Sequence, residues 1–307
     1  MSFPRLERFV TTAELGSISR AAEKLNIVQP ALSQSIKQLE EELGTQLLLR
    51  SGKGIELTAE GRVFLEHAYG ILSQYRKARE NITDMHGKPS GGVSIAMVSS
   101  AIDVLTVPVC RALKDQYPLI ELDLEEGLVS NIQHGLDAGR YDIVISYAIE
   151  TARNIAREPL IEEELFLTTK YSGKTTGRYV ELHELGDVSR IIPRERDGSG
   201  VEVGQTAQNL DLELVTSQFS GAIHPTLKLI EAGMGASLLP WSAVRDGLSD
   251  GRLHVEAVRK PGLHQTVHMM HAEHKPVTRA TAAVMEVIRQ SVRATHKSGE
   301  WPGNLLV

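Results

Sequence analysis

Residues 26–44, NIVQPALSQSIKQLEEELG, admit few local structures. Leu32, Ile36, Leu39 and Leu43 recur at spacings of four, three and four, which is one apolar stripe of an α-helix. Ser33, Gln34, Lys37 and Glu41 fall on the opposite face. Pro30 stands where a first-turn proline is tolerated, because the helix has no use there for its missing N–H. A helix patterned this way is either an ordinary member of a small bundle or one that presents small polar groups to something it reads.

The flanking sequence narrows the choice. Leu6, Phe9, Val10 and Ala13 share one face of a preceding helix that Gly16 ends. Ser17 or Ser19 can cap a second, RAAEKL, whose Ala21, Ala22 and Leu25 turn inward. The tripeptide NIV then makes a tight turn into the Gln29–Pro30 helix, the pattern of a helix-turn-helix. Val28 cannot cap that helix, so Gln29 or water is expected to satisfy its first N–H groups. After it, LLLRSGKGIELTAEG predicts a hairpin: a strand, a turn with Arg50, Lys53 and two glycines, a strand over 55–57, and Thr58 as cap of the next helix. Such a wing sets positive charge beside the recognition helix, over the phosphates that flank the major groove.

The fourth helix is long. Phe64, Ala68, Ile71, Tyr75, Ala78, Ile82 and Met85 alternate spacings of four and three, a heptad repeat. From 59 to 85 it would extend roughly 40 Å. The linker HGKPSGG follows at once, so the stripe is expected to need a second chain rather than its own domain.

Beyond the linker, strand and helix patterns alternate. VSIAMV, IELDLEE and YDIVISY are strand runs, with helices over 103–116 (Pro108 inside it) and 130–138 between them. This rhythm argues for a parallel sheet covered by helices. LFLTTK leads to a second series: RIIP, a helix from about Val201, LELVTS, the helix PTLKLIEAG, and GASLLP. TVHMMHA and a helix over 277–295 close the chain. Charge separates the halves only mildly. Residues 1–90 hold 12 Lys and Arg against 11 Asp and Glu, within a chain of net charge −6. Nucleic-acid binding must therefore rest on a few placed cations.

The N-terminal stretch from about residue 4 to 70 resembles the winged helix-turn-helix of LysR-type transcriptional regulators. The shared pattern is GS before the second helix, AA..L, QPALS...I..LE..LG..L..R and LT..G, at the family's spacing. The QPALSQ stretch is similar to the nitrogen- and sulfur-assimilation branches. Val28 departs from the family's usual Ser or Thr, and Gln34 stands where many members carry Arg. Residues 91–295, with LIEAGMGASLLP, resemble the family's periplasmic-binding-protein-like effector domain.

The resemblance implies an α plus α/β chain: a winged helix-turn-helix over 1–58, a linker and dimerisation helix over 59–90, and a two-lobed regulatory domain over 91–307. The lobes would be about 91–164 plus 268–295, and 165–267. Double-stranded DNA, a small-molecule effector and one or three further copies of the chain are the implied partners. At the DNA, Ser33, Lys37, Arg50 and Lys53 would meet phosphates, and Gln29, Pro30 and Gln34 base edges. The dimer would use Phe64, Ala68, Ile71, Tyr75, Ala78 and Ile82.

An effector site follows from the sheet. Ligands of open α/β sheets sit at the carboxyl ends of strands, where helix N-termini offer free N–H groups. Those ends hold Ser99, Ser100 and Ser130 in one half and Arg194, Ser199, Ser220 and His224 in the other, a set suited to a small anion. The rival reading, a helix-turn-helix fused to an α/β enzyme, finds no nucleophile–base pair, convergent carboxylates or phosphate loop. His264, His268, His271 and His274 have metal-like spacing, but in a strand His268 and His271 face opposite ways, so neither metal nor cofactor is expected. Cys110, the only cysteine, lies in an apolar helical pattern and is expected to be buried and inert. The start lacks a signal-peptide layout and no apolar run is of membrane-spanning length, which predicts a cytoplasmic protein.

Overall fold

The computed structural model describes residues 2–51, 54–83, 88–147, 154–173, 179–187, 190–193, 216–220, 222–260, 262–273 and 276–307. The chain divides into two compact units, residues 1–85 with 137–140 and residues 86–136 with 141–307.

The first unit is built from α1 (Phe3–Leu15), α2 (Ile18–Lys24), α3 (Gln29–Leu43), the hairpin β1 (Leu48–Ser51) and β2 (Gly54–Leu57), and α4 (Ala59–Thr83). Leu6, Phe9, Ala21, Leu32, Ile36 and Leu39 meet in its core. Ser17 caps α2 by accepting from the Arg20 N–H at 3.4 Å. Thr58 caps α4, its Oγ1 accepting from the Gly61 N–H at 2.8 Å. Gly61 itself is required: a Cβ there would lie 2.0 Å from the Leu47 carbonyl oxygen, because α4 starts directly against the wing. The wing is fixed to α3 by Glu40, whose Oε1 accepts from the Leu47 and Leu48 N–H groups at 2.8 and 3.1 Å.

The heptad stripe of α4 is used differently from the expectation. Phe64 packs edge-on against Phe9 with centroids 5.2 Å apart, and Ala68 is 0% exposed within the head core. Ile71 also packs on that core, and Tyr75 stacks on Phe3 at 4.0 Å. Four of the six residues assigned to a dimer contact thus serve their own head. A four-three stripe fits any helix–helix contact, and α1 supplies the facing apolar surface. Ala78 and Ile82, the latter 72% exposed, remain outside it. Met85 lies outside the described residues.

In the second unit β3 (Gly91–Met97) lies parallel to both β4 (Ile120–Glu126) and β5 (Ile143–Tyr147), with α5 (Ser99–Gln116) and α6 (Val129–Ala138) as crossovers. β6 (Ile155–Lys170) is sixteen residues long and spans both halves. Then follow β7 (Tyr179–Glu181), a 3-10 turn (Leu182–Asp187), β8 (Arg190–Pro193), β9 (Thr216–Ser220), α7 (Ile223–Glu231), β10 (Ser237–Pro240), α8 (Trp241–Ser249) and β11 (Leu253–Arg259). β12 (His264–Ala272), α9 (Arg279–Ser298) and β13 (Asn304–Leu305) complete it. The described strands form a nine-stranded sheet running β4-β3-β5-β12-β6-β11-β7, with β10 and β13 also on β6, and a separate parallel β8-β9 pair.

The sheet is mixed, not parallel throughout: β12 runs antiparallel to β5 and β6, and β6 antiparallel to β10 and β11. β6 changes partner along its length, pairing with β12 through Glu164 and with β10 and β11 from Leu165. α5 starts at Ser99, four residues before the expected start. α8 and β11 were not anticipated, and the helix expected from Val201 lies outside the described residues. Cys110 is exposed, against expectation. The buried face of α5 runs through Ala101, Val104, Leu105, Val109 and Leu113, and Cys110 points about 100° away from Val109. Partial burial still raises its thiol pKa.

Candidate nucleic-acid interface and effector cleft

Pro30, Ser33, Gln34, Lys37, Leu49 and Arg50 line one groove of about 810 Å³ between α3 and the wing. The fold explains why they meet. Burying Leu32, Ile36 and Leu39 turns Ser33, Gln34 and Lys37 outward, and the Glu40 clamp brings β1, with Arg50, alongside them. The side chains of Gln34 and Arg50 make no hydrogen bond or ion pair among the described residues. Lys37 reaches Glu41 at 3.5 Å, but both are well exposed. Such a pair contributes only about 0.3–0.5 kcal/mol, so Lys37 can exchange it for a phosphate. Lys53 lies outside the described residues. Leu43, expected on the buried stripe, is exposed at the end of α3.

The start of α3 corrects the expectation for Gln29. Its side-chain Oε1 accepts from Ser19 Oγ at 3.4 Å rather than capping α3. Val28 is the N-cap and supplies no side-chain bond. None is needed at the usual positions: Pro30 has no N–H, and the Ala31 N–H donates to the Val28 carbonyl at 3.0 Å.

In the second unit the strand ends place Ser99 and Ser130 at the openings of α5 and α6, on neighbouring strands β3 and β4. The Gly127 N–H donates to the Met97 carbonyl at 3.1 Å, which holds the two ends together. Ser99 Oγ donates to Glu126 Oε1 at 2.5 Å, so a carboxylate already sits at the first turn of α5. Ser100 is not available to a ligand: it is fully buried, with its Oγ 2.6 Å from the Tyr147 hydroxyl. His224 is exposed in the first turn of α7, and Ser220 ends β9. Arg194 and Ser199 lie outside the described residues, as does His274. Burial lowers the His268 pKa and thus favours its neutral ring. Among the described residues no three His, Cys, Asp or Glu side chains group so as to hold a metal ion.

Sequence reasoning missed Glu163. It is fully buried on β6 and accepts three hydrogen bonds: Trp301 Nε1–H at 2.7 Å, Ser242 Oγ–H at 2.9 Å and Gln265 Nε2–H at 3.2 Å. Burial pushes its carboxyl pKa up, against the pull of those donors. A glutamate within the strand run IEEELFL carries no local sign of this. Its donors lie 79 or more residues away.

A winged helix-turn-helix joined by a long helix to a two-part α/β body is the architecture of a DNA-binding regulator controlled by a small molecule. Residues 3–62 match the bacterial regulatory helix-turn-helix proteins of the lysR family, and residues 86–293 match the LysR substrate-binding domain. The chain belongs to the LysR family of transcriptional regulators. It is 28% identical to the nitrogen assimilation regulatory protein nac of Klebsiella aerogenes, over 94% of each chain. It is 30% identical to nac of Escherichia coli K12 over 80% of each. Its fold is that of CbnR, a LysR family transcriptional regulator, with TM-score 0.70 at 23% identity over 95% of this chain and 99% of that one. Both domains are those of a regulator, so the enzyme reading is not supported. No described helix is long and apolar enough to cross a membrane.

Proposed function

We propose that this regulator, acting in the cytoplasm, lays the first turns of α3 in the major groove of its operator. Pro30 and Gln34 face base edges there, while Ser33, Lys37, Arg50 and Lys53 hold phosphates on either side. The observation that carries the reading is the groove in which α3 and the wing converge with no apolar core residue exposed between Ser33 and Lys37. Gln29 contributes by orienting α3 through Ser19. Residues 1–58 form the reading head, 59–90 the linker and 91–307 the regulatory domain, with lobes about 91–164 plus 268–295 and 165–267. The partner change within β6 at Glu164 and Leu165 supports that division.

Two chains associate through the free end of the α4 stripe, Ala78 and Ile82, with Tyr75 at its margin. Pairs of such dimers make a tetramer. A small anionic effector enters between the lobes at Ser99 and Ser130, opposite Arg194, Ser199, Ser220 and His224. It displaces the Glu126 carboxylate from the α5 N-terminus and so favours one arrangement of the assembly over another. Ile82→Asp is the test. With the head core untouched, it should give monomers by sedimentation and lose footprinting on the DNA upstream of its gene. An unchanged oligomer with an intact footprint would remove α4 from the interface.

A further inference from the structure

Among the described residues of the first unit, Val28 is the most exposed large apolar side chain after Ile82, at 69%. The turn into α3 separates two neighbours sharply: Ile27 packs on the head core, whereas Val28 stays outside it. The Val28 side chain also has no capping role, since it makes no cap bond and the α3 start is satisfied without one. Beside it, Pro30 and Ala31 are exposed too. Val28, Pro30 and Ala31 thus give the leading edge of the recognition helix a carbon surface beside the exposed Gln29, whose Oε1 accepts from Ser19 Oγ.

Base edges in the major groove carry hydrogen-bonding groups at every pair and one apolar group, the C5-methyl of thymine. A valine side chain can recognise only that group. Valine suits such a contact. Its branched Cβ leaves χ1 few choices, so little rotamer freedom is lost when the methyls are fixed against a base. Placed over a cytosine it would leave the exocyclic amino group dehydrated and unpaired. We infer that Val28 is a specificity-determining residue that reads the C5-methyl of one thymine in each half-site. This rests on α3 being the helix that reads DNA.

The test uses the full-length protein. Random duplexes are selected for binding, and each thymine of the selected site is then replaced singly by deoxyuridine, which keeps the base pair and removes only the methyl. One thymine per half-site should lose about fourfold in affinity for wild type, the worth of one buried methyl. The same replacement should cost Val28→Ala and Val28→Ser nothing, as a double-mutant cycle requires of a direct contact. Circular dichroism of both variants should match wild type, since the side chain touches no core residue. A deoxyuridine penalty of equal size in wild type and both variants, or no penalty at any thymine, would overturn the role of Val28. Failure of wild type to enrich any sequence would overturn the reading of α3 together with it.

Discussion

The groove of the head and the strand ends of the body use the same residue types in opposite ways. Ser33, Gln34 and Lys37 stand outside the packing, and removing them would leave the head core as it is. Ser100 and Ser242 in the body are buried, each committed to a partner far along the chain, Tyr147 and Glu163. A polar side chain on the free face of an amphipathic helix has only a partner to serve. One buried in the first turn of a helix packed on the sheet has first to satisfy the hydrogen-bonding capacity of its neighbours. The head is thus organised for contact and the body's polar groups for holding the sheet together.

The largest effect that could break this contrast is expected at Trp301. Its indole is fully buried and donates to Glu163. Trp301→Ala should lower unfolding free energy by about 3–5 kcal/mol, read from urea titration of circular dichroism. Gln34→Ala should leave that titration unchanged. A destabilisation by Gln34→Ala comparable with that by Trp301→Ala would end the distinction. On DNA the order reverses. Gln34→Ala should cost about 1–3 kcal/mol against the selected site and much less against random duplex, if its carboxamide spans a base edge. Equal losses on both would make Gln34 a backbone contact. Arg50→Ala is expected to do less. All sequences should weaken alike, and the slope of log affinity against log salt should fall by roughly one unit. A slope that does not move would remove Arg50 from the phosphates.

The same contrast explains what could be read from the sequence. The head was legible because its elements are local: the α3 stripe, the Ser17 and Thr58 caps and the wing all lie within a few residues of their signals. The α4 stripe was legible as a pattern but not as a partner. Phe64, Ala68 and Ile71 face α1, and the spacing that suits a second chain suits α1 equally. In the body, the strand rhythm was visible, and β11 (LHVEAVR) carried an alternation that could have been found. The direction of β12 and the sixteen-residue run of β6 depend on long-range pairing that no window displays. Ser99 and Ser130 followed from the rule for strand ends. Ser100 stands on the same strand end yet is closed off by Tyr147, 47 residues away. Cys110 shows the finer limit: one residue of helical phase separates the buried Val109 from an exposed thiol.

The smallest expected change sharpens the body's side of the comparison. Glu163 is a buried carboxylate whose three partners are neutral, and burial raises its pKa. A carboxyl that holds its proton more tightly folded than unfolded contributes its full stability below the unfolded pKa. That contribution is lost as pH rises through the folded pKa. Glu163→Gln should remove this dependence with little loss of stability in mild acid. The new Oε1 can accept from Ser242 and Trp301 as before. The new amide can donate to Gln265 once that carboxamide turns over, which its Oε1, without a partner among the described residues, is free to do. Glu158 provides the opposite sign. The Arg289 guanidinium, at 2.7 and 2.8 Å, holds its pKa below the ordinary value. Its contribution is therefore present above the unfolded pKa and lost as pH falls, and Glu158→Gln should flatten only that acid limb. Denaturation midpoints followed between roughly pH 2 and 8 separate the two, since the Glu158 limb lies below the ordinary carboxylate pKa and the Glu163 limb above it. If Glu163→Gln retains the wild-type decline toward high pH, the decline belongs to another group and Glu163 is ionised at little cost.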